Sequence, residues 1–131
     1  MIADSSAWIE YLRATGSATH LRLRQALLRL EPVLMLDVIY QEVLQGAGDA
    51  SQFVRLQALL DEAATWVPAD ARDSARQAAL LFARCRWRGI TLRSPNDCLI
   101  AVHAIEAGEP LLHADRDFER IAAIEPRLQL A

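Results

Sequence analysis

Short runs of continuous apolar residues alternate along the chain with longer stretches of helical periodicity. Met1-Ile2-Ala3 runs into Asp4, Val33-Leu34-Met35-Leu36 into Asp37, Trp66-Val67-Pro68-Ala69 into Asp70, and Leu111-Leu112-His113-Ala114 into Asp115. Apolar runs without alternation suit strands buried on both faces, the pattern of a parallel sheet, and the stretches between them are long enough for crossover helices. Helices are expected over about 6–14, 17–30, 38–46, 50–63, 71–88, 95–107 and 116–123. Gly89 and Gly108 mark helix ends, and Ser94-Pro95 supplies a cap and a proline first residue. A fifth run, Leu128 to Leu130, follows the Glu125-Pro126 break and adds a candidate edge strand. The predicted architecture is a single α/β domain over 1–131, built on a mainly parallel sheet of four to five strands.

Composition narrows this picture. A chain of 131 residues, 53% of them apolar, buries a core without disulfides or a structural metal. Cys85 and Cys98 form no CxxC pair and only three histidines are present, which argues against a zinc site or a disulfide framework and fits a reducing compartment. All 14 basic residues are arginine, so Schiff-base and phosphate-loop lysine chemistry is excluded. A net charge of −3 excludes a uniformly basic coat, so a polyanion has to meet a local arginine patch. No apolar run approaches the roughly 18 residues of a membrane span, and Met1-Ile2-Ala3 meets Asp4 with no basic or apolar leader region. The expectation is a soluble, cytoplasmic protein with no membrane contact.

In a parallel sheet with helical crossovers the strands' carboxyl ends gather along one edge, where such folds place ligands. Asp4 and Asp115 are expected to meet there, whereas Asp37 and Asp70 are read as helix N-caps. Glu42 falls between Val38 and Ile39 around its helix, an apolar sector in which a lone carboxylate is costly. Asp97 lies over Ala101, Ala104, Ile105 and Gly108, a small apolar face suited to packing on the sheet. A capping or helix-dipole role would also suit its position. Asp117 follows as a fifth acid. Gathered without compensation these groups repel one another, and a divalent cation resolves the conflict. An all-oxygen set without His or Cys suits Mg²⁺ or Mn²⁺ better than Zn²⁺. Such ions activate water and steady an in-line displacement at phosphorus, so phosphodiester hydrolysis is the chemistry implied.

Four segments stand in order along the chain: the opening Met1 to Ile9, Glu42-Val43-Leu44-Gln45-Gly46, Arg93-Ser94-Pro95-Asn96-Asp97-Cys98 and His113-Ala114-Asp115-Arg116-Asp117-Phe118. In order and spacing they resemble the PIN-domain ribonucleases and, within them, the VapC toxins of bacterial toxin–antitoxin pairs, and the resemblance covers essentially the whole chain. It implies a three-layer α/β/α sandwich of the PIN type. Asp4, Glu42, Asp97 and Asp115 would then be the catalytic, metal-binding quartet, with Asp117 a fifth ligand. Ser6 matches a small hydroxyl that supports the site by hydrogen bonding, although a helix N-cap is an equal reading. Ser5 stands where threonine is commoner. The resemblance further implies an Mg²⁺- or Mn²⁺-dependent endoribonuclease, a homodimer, and neutralisation by a VapB-like antitoxin.

Arg84, Arg86, Arg88 and Arg93 surround Trp87 and form a candidate RNA-contact patch of guanidinium groups and one aromatic face. Arginines in a last helical turn also complement the helix dipole, and the two readings are level. Leu21, Leu23, Leu27, Leu28 and Leu30 exceed one core stripe, which leaves apolar surface for a second copy or an antitoxin helix. The alternative function is a catalytically silent PIN-like module that binds RNA or protein, against which the complete acidic set argues. An aspartyl-nucleophile phosphatase fits worse, because Asp4 is followed by Ser5-Ser6 and the chain has no lysine.

Overall fold

A computed structural model describes residues 1–131. The elements are β1 (Ile2–Ala3), α1 (Ser5–Leu12), α2 (Ala18–Leu28), β2 (Leu34–Met35), α3 (Asp37–Leu44), α4 (Ala50–Leu60), β3 (Ala64–Thr65), α5 (Ala71–Trp87), α6 (Asn96–Ala107), β4 (Leu111–Leu112) and α7 (Asp117–Ile124). All seven expected helices form, with ends shifted by up to three residues. Gly108 closes α6 in the left-handed conformation at φ 66°, which its lack of a Cβ permits.

The sheet runs β3-β2-β1-β4 and every pair is parallel. Ile2 stands opposite Leu34 on one side and Leu111 on the other. Two helices separate each strand from the next, and right-handed crossovers place α1 to α4 on one face and α5 and α6 on the other. Most helix contacts follow this division, with α1 on α2 and α3, α3 on α4, and α5, α6 and α7 on one another, while α3 and α6 also meet across it. The result is the three-layer α/β/α arrangement. Its core holds Ile2, Ala3, Trp8, Ile39, Ile100, Leu111 and Phe118, each at most 1% exposed. No helix is long and apolar enough to cross a membrane.

Three expectations need correction. The third strand is Ala64–Thr65 rather than Trp66 to Ala69. The Trp66 amide still donates to the Met35 carbonyl at 2.9 Å, but Pro68 has no N–H with which to continue the ladder. Trp66 instead lies against His103, ring centroids 5.3 Å apart. The Leu128 to Leu130 run makes only a single parallel bridge, Leu130 to Leu111, at the sheet edge. Asp37 is the first residue of α3 rather than its cap, where its charge faces the positive end of the helix dipole. Asp70 does cap α5, accepting from the Asp73 amide at 3.1 Å.

The chain steps outward from β1 to β2 to β3, then returns to place β4 on the free side of β1. The segments leaving β1 and β4 are therefore neighbours that diverge, which opens a crevice at the point where the strand order reverses. Phe118, fully buried and 5.4 Å from the His113 ring, seats α7 beside that crevice. Phe118→Ala is expected to cost about 3–5 kcal/mol of stability. Phe118→Leu should cost far less, as the shift of the denaturant midpoint will show.

Candidate functional site

Asp4 ends β1 and caps α1. Its Oδ2 accepts from the Ser6 amide at 3.0 Å and from the Ser6 hydroxyl at 2.6 Å. The same hydroxyl oxygen accepts from the Ala114 amide at 3.0 Å, so Ser6 ties the exit of β1 to the exit of β4. The helix cap is Asp4, and Ser6 serves as the cross-link. Asp4 is 3% exposed, and its Oδ1 is buried with no hydrogen-bond partner. Burial raises the Asp4 carboxyl above its ordinary pKa, the Ser6 hydrogen bonds oppose the shift, and the Asp115 charge adds to it.

Glu42 projects from α3 half-buried, and its Oε1 is likewise without a partner. Burial raises its carboxyl first and the Asp4 charge second, with the Ser5 hydroxyl opposing. Asp97, in the first turn of α6, is pushed up to about 7. Burial is the largest cause, followed by the charges of Asp4, Asp115, Asp117 and Glu42. All four other acids act on Asp97, which places it at the electrostatic centre of the group.

Asp115 and Asp117 flank the start of α7, and the Asp117 amide donates to Asp115 Oδ1 at 3.0 Å. Asp97, Asp115 and Asp117 each offer a carboxylate oxygen, all within 4.8 Å of one another. Arg93 bridges two of them, with NH2 at 2.6 Å from Asp115 Oδ1 and Nε at 3.3 Å from Asp117 Oδ2. Arg120 reaches Asp117 Oδ1 at 3.3 Å.

Magnitudes decide what this arrangement is for. Two carboxylates about 4 Å apart repel by about 4 kcal/mol at an effective dielectric constant of about 20. Arg93 is largely exposed while Asp115 and Asp117 are buried or nearly so, and solvent around the guanidinium screens its pull on both. Arginine therefore offsets part of the repulsion, and protonation of Asp97 or a divalent cation must remove the rest. The donors are all hard oxygens, and the unpartnered Asp4 Oδ1 and Glu42 Oε1 remain open, a set that fits such a cation.

Asp4, Glu42, Asp97, Asp115 and Asp117 thus meet at one edge of the sheet. The members of the arginine patch are placed differently. Arg84 is committed to the Glu125 carboxylate at 3.3 Å and the Ile124 carbonyl at 3.0 Å, while Arg86, Trp87 and Arg88 are exposed at the end of α5. Arg93 alone of that set reaches the acids. Arg116 and Arg120 escaped sequence reasoning, yet with Arg93, Ala114, Asp115 and Asp117 they line a pocket of about 430 Å³. The i,i+3 spacing of Arg120 from Asp117 is a readable signal for the second, whereas nothing in the spacing points to Arg116.

An acidic crevice at the switch point of a parallel sheet defines a class, and residues 1–124 match the family model of the PIN domain. The chain belongs to that family. It is 39% identical over 125 residues to the VapC ribonuclease Mb1587 of Mycobacterium bovis and to the ribonuclease VapC11 of Mycobacterium tuberculosis. Each match covers 95% of this chain and 92% of the relative.

The raised Asp97 pKa predicts how stability depends on pH in the absence of metal. The folded state holds this proton more tightly than the unfolded chain, so the stabilisation is complete below about pH 4 and is lost as pH rises through about 7. Asp97→Asn should flatten that decline in denaturant titrations between these pH values. A decline as steep as the parent's would show that Asp97 does not carry it.

Proposed function

We propose that Asp4, Glu42, Asp97 and Asp115 are the catalytic carboxylates of this chain, with Asp117 as a further ligand and Mg²⁺ as the ion, replaceable by Mn²⁺. The reading rests on five acids sharing one crevice in which two buried carboxylate oxygens have no partner. The chain is a VapC-type endoribonuclease, the toxin of a toxin–antitoxin pair, and its activity depends on metal.

Asp97, Asp115 and Asp117, whose carboxylate oxygens lie within 4.8 Å of one another, would hold the cation, with Asp4 and Glu42 completing the set. When bound, it supplies an activated water and neutralises charge on the phosphate during in-line displacement. Ser6 fixes Asp4 Oδ2 by two hydrogen bonds, which leaves Oδ1 for the reaction centre. Glu42, whose carboxyl is raised above its ordinary range by burial and the Asp4 charge, suits the uptake of a proton from the attacking water. The water oxygen bonds to phosphorus as the bond to the 3′ oxygen breaks, and the departing 3′ oxygen takes a proton from solvent, leaving a 5′-phosphate and a 3′-hydroxyl. Arg86, Trp87, Arg88 and Arg93 are the proposed RNA contacts, with Arg84 held instead by Glu125. A homodimer in the cytoplasm, controlled by a VapB-like antitoxin, completes the reading. An antitoxin arginine placed among these carboxylates would satisfy the same electrostatics as the cation.

Purified protein free of antitoxin should cut total bacterial RNA into discrete fragments with Mg²⁺ or Mn²⁺ and leave it intact in EDTA. Asp4→Asn and Asp97→Asn should lose cleavage while remaining folded. Undiminished cleavage by either variant, or cleavage in EDTA, would contradict the assignment.

A further inference from the structure

The crevice sets its own substrate a problem. Five carboxylates repel a polyanion, and the chain as a whole is acidic, so an RNA strand needs a cationic hold close to the reacting phosphate. The pocket beside the acids supplies three guanidinium groups, those of Arg93, Arg116 and Arg120, against the two carboxylates of Asp115 and Asp117. That leaves an excess of positive charge on one side of an otherwise negative site.

The three arginines are not equivalent. Asp117, 1% exposed, fixes two of them: its Oδ1 accepts from Arg120 NH1, and its Oδ2 accepts from the Arg93 amide and Nε. Arg93 keeps NH1 free, and Arg120 keeps Nε and NH2. Arg116 is exposed and forms no ion pair. A guanidinium fork matches phosphate oxygens geometrically, and about 430 Å³ falls within the range of ligand-sized clefts.

We propose that Arg93, Arg116 and Arg120 form a phosphate subsite that grips the RNA backbone at a phosphate neighbouring the one that is cut. Arg116 makes the main contact, and Arg93 and Arg120 are oriented by Asp117. The inference rests on the ribonuclease reading above and adds the place where the strand is held. The grip is to the backbone and is independent of base identity.

The test is a fluorescence-anisotropy titration of the whole protein with a short labelled single-stranded RNA of mixed sequence, in EDTA and at several salt concentrations. The variants are Arg116→Gln, Arg120→Gln and, as a control far from the pocket, Arg55→Gln. Arg116→Gln should bind roughly 5- to 10-fold more weakly and lower the slope of log affinity against log salt by about 0.7, the value for one lost phosphate contact on a single strand. Arg120→Gln should act in the same direction, and Arg55→Gln should leave the slope at the parent's value. Parent-like affinity and slope for Arg116→Gln and Arg120→Gln, in a protein that cleaves RNA, would overturn the subsite and leave the ribonuclease standing. An Arg55→Gln effect equal to that of Arg116→Gln would reduce the pocket to net charge and overturn it equally. A parent that neither binds nor cuts RNA would remove both readings together.

Discussion

Crowding of like charge governs this protein. Five carboxylates share one crevice, two of their oxygens are buried without partners, and Asp97 feels burial and all four neighbours at once. No lysine is available to compensate, and the arginine that crosses the cluster is itself largely in solvent and offsets only part of the repulsion. Selection for stability alone would remove such a site, because isolated buried carboxylates are costly. Its persistence makes sense as a receptor for a divalent cation, which turns mutual repulsion into shared coordination.

The fold creates the crowding economically. Strands of two residues suffice because only their carboxyl ends matter to the site. The return of the chain from β3 to β4 brings the Asp4 and Asp115 segments side by side, and the Ser6 hydroxyl bonds across the gap. α3 and α6 then deliver Glu42 and Asp97. Asp4 links local structure to chemistry most directly: one oxygen caps α1 while the other stays open. Placed against the acids, the pocket of Arg93, Arg116 and Arg120 divides the site into a part that draws a cation and a part that draws an anion.

Much of this was legible in the sequence, because periodicity and strand-end logic are local signals. Seven helices, a parallel sheet and the meeting of Asp4 with Asp115 follow from apolar runs that end in acids. Glu42 and Asp97 stand out in the sequence as charges on apolar helical faces. What local pattern cannot show is pairing at a distance. Arg93 lies 22 residues from Asp115, and Arg84 lies 41 from Glu125. Nothing in spacing reveals that the first enters the site while the second braces α5 against the end of α7. Trp66 to Ala69 looked like a strand because hydrophobicity does not register the amide that Pro68 lacks. Ser6 looked equally like a cap, and only the Ala114 contact shows its bridging role.

Anomalous diffraction from crystals grown with Mn²⁺ would reveal a cation held by the clustered carboxylates. An anomalous peak is expected among Asp97, Asp115 and Asp117, coordinated by carboxylate oxygens from at least two of them. Crystals that diffract well under saturating Mn²⁺ and show no peak there, with Arg93 still bridging Asp115 and Asp117, would contradict a cation site.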